Sequence, residues 1–497
     1  MKKIFLPLVL CLIALKGYGT NYYFSSSGND ANSGLSSAQP WLSFSKLQGV
    51  VLQPGDSILL KAGDVFVTTG NIKLYKWVYK GSDNIYGTAD DVVYGNVPNS
   101  SASIPIVITT YPAAGSAATI RFLTDTTGIE LYNVQGIHVM NLTMTGTGIG
   151  SKPSKNGISL FNDDAWGAPL TDTLKNYYFS KLNVGGFKNG FSLGSWGGRV
   201  TSGITLLECT ARDNFINGMI TFAQNSGDIR DLLFRYCYAY GNSGDQNALI
   251  NTGSGIVIGD ASQVLVEKCI AYNNGFYCNA SEGPVGIWAY NSTGVVIQFC
   301  ESHHNKTAGP ADGGGFDLDG GCQQCIIQYC YSHDNDGAGF LVCQYAGARA
   351  FNNNVIRYNI SQNDGGKNGY GSLHFYSSGS NGGITSTEIY HNTFYNSVAP
   401  VVKFQVTSGI SGVRIRNNIF VAAGGKALIV GNPSTGTAKF ENNLYWTSGG
   451  PFDIAGYTSL TNWRIGSGQE MKGTTPVGMY EDPKLTAPGM GTSINNP

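Results

Sequence analysis

The sequence is poor in charge. Only 13% of its 497 residues are charged, and 31 basic side chains are almost balanced by 32 acidic ones. A nucleic-acid-binding protein normally carries a basic stripe, so this balance argues against a nucleic-acid partner. Because the sequence also holds many glycines and aromatic residues, it favours a β-rich fold over disorder or long surface helices.

Long apolar runs are absent beyond the amino terminus. A membrane-spanning helix needs about 20 apolar residues, and no segment provides them. At the amino terminus a short basic start and the apolar run Ile4 to Leu15 precede the small residues Gly17 and Gly19. This layout is typical of a cleavable secretory signal. Residues 1–19 are therefore predicted to be a signal peptide, and the protein is expected to be extracellular or periplasmic, without a membrane span.

An internal repeat is the dominant positive feature. Each repeat opens with a Gly-hydrophobic pair, continues with short strands of period-2 alternation, and has no helical segment. The repeats align on one column, at intervals of 25 to 33 residues: Cys209, Cys237, Cys269, Cys300, Cys330, Asn359, Asn392, Asn418 and Asn443. Because stacked coils of this kind share one continuous core, the repeat predicts an all-β fold, a parallel β-helix or β-solenoid.

The column residues are predicted to form ladders. Each Asn amide can bond to the amides of the coils above and below, and each Cys places a small buried thiol at the same position. A ladder needs no cross-links, so disulfides are not expected within it. Cys322 and Cys325 are interpreted as a local disulfide or buried thiols rather than a zinc site, because no second pair accompanies them. The states of Cys278 and Cys343 stay open.

Four segments are predicted along the chain. Residues 20–66 form an amino-terminal cap with the first strands, residues 67–445 the β-helix with a loop insertion near 75–103, and residues 446–497 a carboxyl-terminal coil or cap. Within the insertion, Gly81–Asp91 is interpreted as a solvated loop, with Ca²⁺ binding as the alternative.

A short helix is predicted in the amino-terminal cap. Ser43 would cap it and it would run through Leu52, covering the open end of the solenoid. The residues expected on or near its buried face are Phe44, Leu47, Val50 and Val51.

Two stretches resemble the amino-terminal signature of secreted bacterial right-handed β-helix proteins of the pectin-lyase-like superfamily. They are YYFSSSGNDANSG (Tyr22–Gly34) and PGDSILLKAGDVF (Pro54–Phe66). GGGFDLDGG (Gly313–Gly321) and YSHDNDGAGF (Tyr331–Phe340) are similar to the repeats of that group. The resemblance implies a right-handed β-helix whose catalytic groove follows the first sheet. It does not identify the reaction, because this fold carries lyases, hydrolases, esterases, epimerases and adhesins.

Alternation within the strands predicts one chemically rich ridge. If Phe316 and Leu318 face the core, Asp317 and Asp319 face outward. The same register in neighbouring coils places outward the residues Trp288, Tyr290, Leu341, Cys343, His374, Tyr376, Lys403 and Gln405. In earlier coils the outward positions hold small or apolar residues without titratable or aromatic groups, such as Ser192, Gly194, Val257 and Gly259. We therefore expect catalysis by Asp317, Asp319 and His374, and sugar binding by Trp288, Tyr290, Tyr376 and Lys403.

The outward carboxylates support two enzymatic hypotheses. Residues i and i+2 of a strand lie about 6.5–7 Å apart, which suits an inverting glycosidase with one acid and one base. Alternatively Asp312, Asp317, Asp319 and Asp336 bind Ca²⁺ for a polysaccharide lyase of pectate or another uronate. Lys306, Lys367 or Lys403 would then abstract the proton. GGGFDLDGG has a loose likeness to calcium-binding stretches of family 9 pectate lyases, whereas the NTD, DD, GHG and RIK set of polygalacturonases is missing.

The hydrolase is slightly favoured over the lyase. Lys306 and Lys367, on the neighbouring loops, are expected to bind substrate in either case. A third hypothesis is a non-catalytic glycan-binding or adhesin-like protein that uses the same aromatic face. The partner is predicted to be a polysaccharide, the chain a monomer, and calcium the one cofactor under consideration.

Each candidate also has a purely structural interpretation. Asp317 and Asp319 lie in a Gly-rich stretch where Asp often finishes a turn. His303 and His333 fall at the same position of successive repeats, which favours a structural stack. His374 has no such repeat partner and is the better catalytic histidine.

Overall fold

The computed structural model describes residues 19–86, 88–164, 173–379 and 381–490. The predicted signal peptide lies almost wholly outside these residues. None of the described helices is long and apolar enough to cross a membrane.

Parallel strands stack into two large sheets around one apolar core. The smaller one, sheet 1, receives one strand from each of twelve coils. Its strands are Ile72–Tyr75, Ile129–Tyr132, Ile158–Asn162, Asn189–Ser195, Asn217–Ala223, Ile256–Gly259, Val285–Tyr290, Gly314–Leu318, Phe340–Gln344, Leu373–Ser377, Val402–Thr407 and Ile429–Val430.

The larger one, sheet 2, takes two strands or one long bent strand from most coils. Its strands are Asn21–Phe24, Ser57–Lys61, Val65–Thr68, Ile106–Tyr111, Ala118–Phe122, Ile137–Thr145, Leu174–Gly185, Thr201–Leu207, Thr210–Arg212, Ile229–Arg235, Tyr238–Tyr240, Ala261–Glu267, Ile270–Tyr272, Thr293–Gln298, Glu301–His303, Ile326–Gln328, Tyr331–His333, Val355–Arg357, Ile360–Gln362, Glu388–Tyr390, Thr393–Asn396, Val413–Arg416, Ile419–Ala423, Ala438–Glu441, Leu444–Ser448 and Met479–Tyr480. This is the predicted parallel β-helix.

The aligned column forms the corner of each coil. The residue before each column member, such as Glu208 or Tyr358, has a left-handed backbone (φ 54° and 57°), which turns the chain between two strands of sheet 2. The Asn ladder follows as predicted, because each side-chain amide bonds to the next, from Asn359 through Asn392 and Asn418 to Asn443, at 2.9–3.0 Å. The nine described cysteines are free thiols. Cys209, for example, donates to the carbonyl of Phe179 at 3.4 Å.

A second ladder, which sequence analysis did not single out, lies at the next corner of each coil. Its members are Asn214, Asn242, Asn274, Asn305, Asn335 and Asp364, joined side chain to side chain at 2.8–3.0 Å. Together the ladders satisfy buried polar groups along the length of the fold.

The ends of the core are covered by short helices. At the amino end the expected helix through Leu52 is wrong in extent, because a six-residue 3-10 helix spans Phe44–Gly49. Ser43 does not cap it, since its hydroxyl donates to Asp30 instead, and Val51 is exposed rather than buried. At the carboxyl end an α-helix, Leu460–Ser467, packs Trp463 against Phe440, with ring centroids 5.4 Å apart.

The remaining elements are small. A second 3-10 turn spans Ile149–Ser151, and three two-stranded pairs join Trp77–Tyr79 with Val92–Tyr94, Phe351–Asn352 with Ile384–Thr385, and Met471–Lys472 with Thr475–Pro476. The first pair is the predicted insertion. In its loop Asp90 accepts hydrogen bonds from Ser82 and from the amide of Asp83, so this carboxylate closes its own turn.

Candidate active site

The predicted ridge on sheet 1 is present. Trp288, Asp317, Leu341, His374 and Lys403 occupy paired positions on five successive strands. The core-facing neighbours Phe316 and Leu318 are 0% exposed, as alternation requires. One register detail differs, because a bulge after Phe375 pairs Tyr376 with Val406 instead of Gln405.

A cavity of about 700 Å³ opens on this ridge. Asp317 and Asp319 line it, together with five aromatic rings: Trp288, Tyr290, Tyr345, Tyr370 and Tyr376. Cavities of this size are typical of sites for small organic ligands, and aromatic faces suit the apolar faces of sugar rings. Strand alternation does not predict Tyr345, which reaches the cavity from a turn.

Asp317 is buried without a hydrogen-bond partner for its Oδ1 atom among the described residues. It is 2% exposed. Burial, followed by repulsion from Asp319 and Asp312, raises the pKa of its carboxyl well above the ordinary range. A lone buried carboxylate is costly, so this environment favours the protonated form of the carboxyl.

Asp319 has a different environment two residues later. Its Oδ1 accepts the Gly320 amide at 2.7 Å, and its carboxyl also interacts with the Cys343 thiol. Burial raises the pKa of Asp319 to about 6. Asp319 is therefore easier to ionise than Asp317, whose Oδ1 lacks such a partner among the described residues. Two neighbouring carboxyls in environments that differ in this way are typical of an acid and base pair.

Two further carboxyl groups reach the cavity. Asp312 accepts a hydrogen bond from the Tyr370 hydroxyl, and its Oδ2 accepts the Gly283 amide at 3.2 Å. Glu282 is exposed at the rim, and sequence analysis missed it because it lies in a loop with no repeat partner. The cavity lining thus has four carboxyl groups and, over the part of the chain that the structure describes, no Lys or Arg.

His374 lines the same cavity with both ring nitrogens already bonded. Its Nδ1 lies 3.3 Å from the amide of Gly371, which donates to it, and its Nε2 lies 2.9 Å from Gln405 Oε1. Burial lowers the pKa of His374 to about 4, so the ring is neutral. Both ring nitrogens of His374 are thus engaged, and its ring packs against the Tyr370 ring, whose centroid lies 4.6 Å away.

The three lysines expected at the site do not line the cavity. Lys306 lies 3.3 Å from an Asp336 oxygen, Lys367 donates to the carbonyl of Thr307 at 2.6 Å, and Lys403 donates to the carbonyl of Gly369. Their long side chains follow the loops away from the ridge, which strand alternation alone does not reveal.

The four carboxylates expected to bind calcium do not converge. Asp336 turns to Lys306 and to the amide of Thr307, and Asp312 is held by Tyr370. Within the described ranges, no three of these side chains bring one oxygen each within 4.8 Å of one another. The residues present therefore do not fit a calcium ion.

An aromatic track leads along sheet 1 toward the cavity. We use this name for Tyr132, Phe161, Phe222 and Tyr290, which share one outward column with Gly194 and Gly259. The two glycines are needed, because a Cβ at either one would lie 2.3 Å from the ring of Phe222 or Tyr290. The earlier coils were expected to offer no outward side chains suited to binding. That expectation is wrong, because the rings of Phe222 and Tyr290 lie across the two glycines.

The chain is similar to proteins of known fold. Residues 201–394 match the family model described as "Right handed beta helix region", which confirms the handedness that the sequence resemblance implied. A lacto-N-biosidase of Bifidobacterium longum subsp. longum is 24% identical over 86% of this chain, and the match covers 30% of that relative. The chain thus spans less than a third of the length of this curated relative.

Two solved structures share the architecture. The GH136 lacto-N-biosidase from Eubacterium ramulus superposes with a TM-score of 0.55 and 19% identity, over 77% of this chain and 65% of that one. The A-module of the mannuronan C-5 epimerase AlgE4 from Azotobacter vinelandii gives a TM-score of 0.50 and 13% identity, over 75% and 90% of the two chains. At these identities the likeness establishes the right-handed parallel β-helix.

Proposed function

We propose that this protein is a secreted, monomeric glycoside hydrolase that binds a neutral glycan on sheet 1 and cleaves it in the cavity at Asp317 and Asp319. The observation that carries the proposal is the placement of two buried carboxyl groups in an aromatic-lined cavity, Asp317 with no partner for its Oδ1 among the described residues and Asp319 with its Oδ1 bonded to the Gly320 amide. The name lacto-N-biosidase, borne by a curated relative and by a structural neighbour, agrees with it.

The two carboxyl groups divide the chemistry. Asp317 donates its proton to the glycosidic oxygen as the bond to the sugar breaks, and Asp319 takes a proton from the attacking water. Residues i and i+2 of an extended chain lie about 6.5–7 Å apart, which is at the lower end of the range for inversion. Trp288 and Tyr290, with ring centroids 5.3 Å apart, provide the surface on which a sugar ring packs.

The composition of the cavity supports a neutral substrate. A lyase acting on a uronate needs cationic groups to balance the sugar carboxylate and a base to remove the C5 proton. Among the described residues the cavity lining holds no Lys or Arg, and Lys306, Lys367 and Lys403 are held outside it. The lyase hypothesis is therefore not the one we propose.

Product analysis over a panel of neutral and uronate-containing glycans tests the proposal. We expect new reducing ends from at least one neutral glycan, no products that absorb in the ultraviolet as unsaturated uronates do, and no loss of activity in a chelator. Ultraviolet-absorbing products that disappear in chelator would establish the lyase. Saturable glycan binding without any product from the whole panel would establish a binding protein instead.

A further inference from the structure

A cluster of histidines lies on sheet 2, away from the cavity. His303 and His333 stack at 4.7 Å with an interplanar angle of 6°, and the stack continues through Tyr272 and Tyr240. The rings therefore form the ladder predicted from their repeat positions. That stack does not account for His304 and Asp334, which follow the two histidines and turn back toward them.

Three potential metal ligands, the rings of His303, His304 and His333, meet in this cluster, and the carboxylate of Asp334 lies beside His333. The Nδ1 atoms of His303 and His304 are 2.8 Å apart, and the Nδ1 of His333 lies 2.7 Å from Asp334 Oδ2. His304 and Asp334 both have left-handed backbones, with φ of 53° and 55°. This turn aims each side chain at the histidine before it. One ring nitrogen from each of His303, His304 and His333 lies within 4.8 Å of the other two.

A buried carboxylate orients the deepest histidine. His333 is 2% exposed, and its Nε2 lies 3.1 Å from Glu301 Oε1. A histidine that donates one N–H to a carboxylate directs the other nitrogen outward, which is the usual support of a metal-bound imidazole. Here that other nitrogen is the Nδ1 atom beside Asp334.

We propose that His303, His304, His333 and Asp334 bind one divalent transition-metal ion, Zn²⁺ being the best match, between two successive coils. The three imidazole nitrogens already lie close together, and a small movement of the Asp334 carboxylate would complete the four-ligand set that zinc accepts in tetrahedral geometry. The ion replaces the proton on His333 Nδ1 and the one shared between His303 and His304. Its two positive charges then balance the carboxylates of Asp334 and Glu301.

The electrostatics of the cluster favour a cation. Two carboxylates face the rings, since Asp334 Oδ2 lies 2.7 Å from His333 Nδ1 and Glu301 Oε1 lies 3.1 Å from His333 Nε2. A metal ion there would join residues 30 positions apart and stabilise the folded state through selective binding.

Calorimetric titration with Zn²⁺ tests the site, with the purified protein stripped by chelator and carrying no polyhistidine tag. We expect about one ion per chain and a Tm that rises with zinc. His304→Ala should weaken binding by more than about tenfold, and Glu301→Gln by about tenfold. His391→Ala is the matched control, since His391 is also exposed with a left-handed backbone (φ 56°), and it should bind as the native protein does.

A titration with Co²⁺ adds a spectroscopic readout of coordination. The visible absorption of tetrahedral Co²⁺ should appear with the native protein and be lost in His304→Ala. His304 is exposed, so its replacement leaves the core intact. The proposal is overturned if the native protein shows no saturable binding, or if His304→Ala binds as tightly as the native protein.

Discussion

Asn392 in the column ladder and Asp317 in the cavity are both buried polar side chains, but they differ in hydrogen bonding. Asn392 in the ladder is 1% exposed, and it accepts the Asn359 amide at 3.0 Å while donating to Asn418 at 2.9 Å. Asp317 in the cavity is 2% exposed, yet its Oδ1 has no partner among the described residues. The two side chains are equally buried, and hydrogen bonding is what separates them.

This difference separates side chains that stabilise the stacked coils from a side chain suited to catalysis. A satisfied polar ladder stabilises the stack, because each coil supplies the partners of the next. An unsatisfied buried carboxyl costs stability, and such sites cluster where catalysis requires a shifted pKa. Asp317 therefore stands out from the repeat by its lack of partners rather than by its residue type.

Replacing Asp317 should have the largest effect on activity. Asp317→Asn keeps the shape but removes the proton donor, so kcat should fall by about 10² to 10⁴-fold with the fold retained by circular dichroism. The matched control is Asp364→Asn, because Asp364 is also buried but ends the second ladder, where five coils already carry Asn. An equal loss of kcat in both variants would remove the distinction between the two regions.

Replacing Asn392 should lower stability and leave activity unchanged. Asn392→Ala removes the ladder acceptor of the Asn359 side chain and the side-chain donor to Asn418 Oδ1, which should lower the free energy of unfolding by about 3 kcal/mol while kcat stays unchanged. Urea denaturation and steady-state kinetics measure the two quantities. Asn462→Ala, at an exposed position of the carboxyl-terminal helix, is the neutral control. Unchanged stability in Asn392→Ala would show that the ladder does not hold the coils together.

The free energy of unfolding should depend on pH through the ionisation of Asp319. Its pKa is raised from an ordinary 3.8 to about 6, so the folded state favours the protonated form. The resulting contribution is complete below pH 3.8 and is lost as pH rises through 6. The free energy of unfolding of the native protein should thus fall by about 2 kcal/mol relative to Asp319→Asn between pH 4 and pH 7. Parallel pH curves for the two proteins would contradict the shift.

Shortening the aromatic track should have the smallest effect. Phe222→Ala removes a ring one coil beyond Gly194, and KM for a long glycan should rise about fivefold, equivalent to about 1 kcal/mol of ring packing, with kcat unchanged. Tyr329→Ala, an exposed ring on sheet 2, should leave KM as it is. If Phe222→Ala also leaves KM unchanged, the glycan is confined to the cavity.

The fold could be predicted because every coil repeats it. The spacing of Cys209 to Asn443 implied the coil, and strand alternation placed Trp288, Asp317 and His374 on one ridge, as strand pairing confirms. The extent of the amino-terminal helix could not be predicted, since Ser43 found a better partner in Asp30. Ser43 and Asp30 both lie before the first aligned repeat, so the repeat pattern gives no information about their contact.

The site was predicted only in part, for the same reason. Asp317 and Asp319 follow from alternation, whereas Glu282 and Tyr345 come from loops and turns whose paths no period determines. The lysines were misplaced because a flexible four-carbon side chain can turn to a loop carbonyl, as Lys367 and Lys403 do. The aromatic track was not predicted, because Gly194 and Gly259 carry no side chain and the rings that cover them come from neighbouring coils.

The role of Asp317 as the general acid is tested most directly by comparing two leaving groups. Once the cleaved sugar is known, kcat/KM of Asp317→Asn is measured on the natural glycan and on a dinitrophenyl glycoside, whose leaving group needs no proton. We predict a loss of about 10² to 10⁴-fold on the glycan and a far smaller loss on the activated substrate. Equal losses on both substrates, or no loss on the glycan, would contradict the assignment.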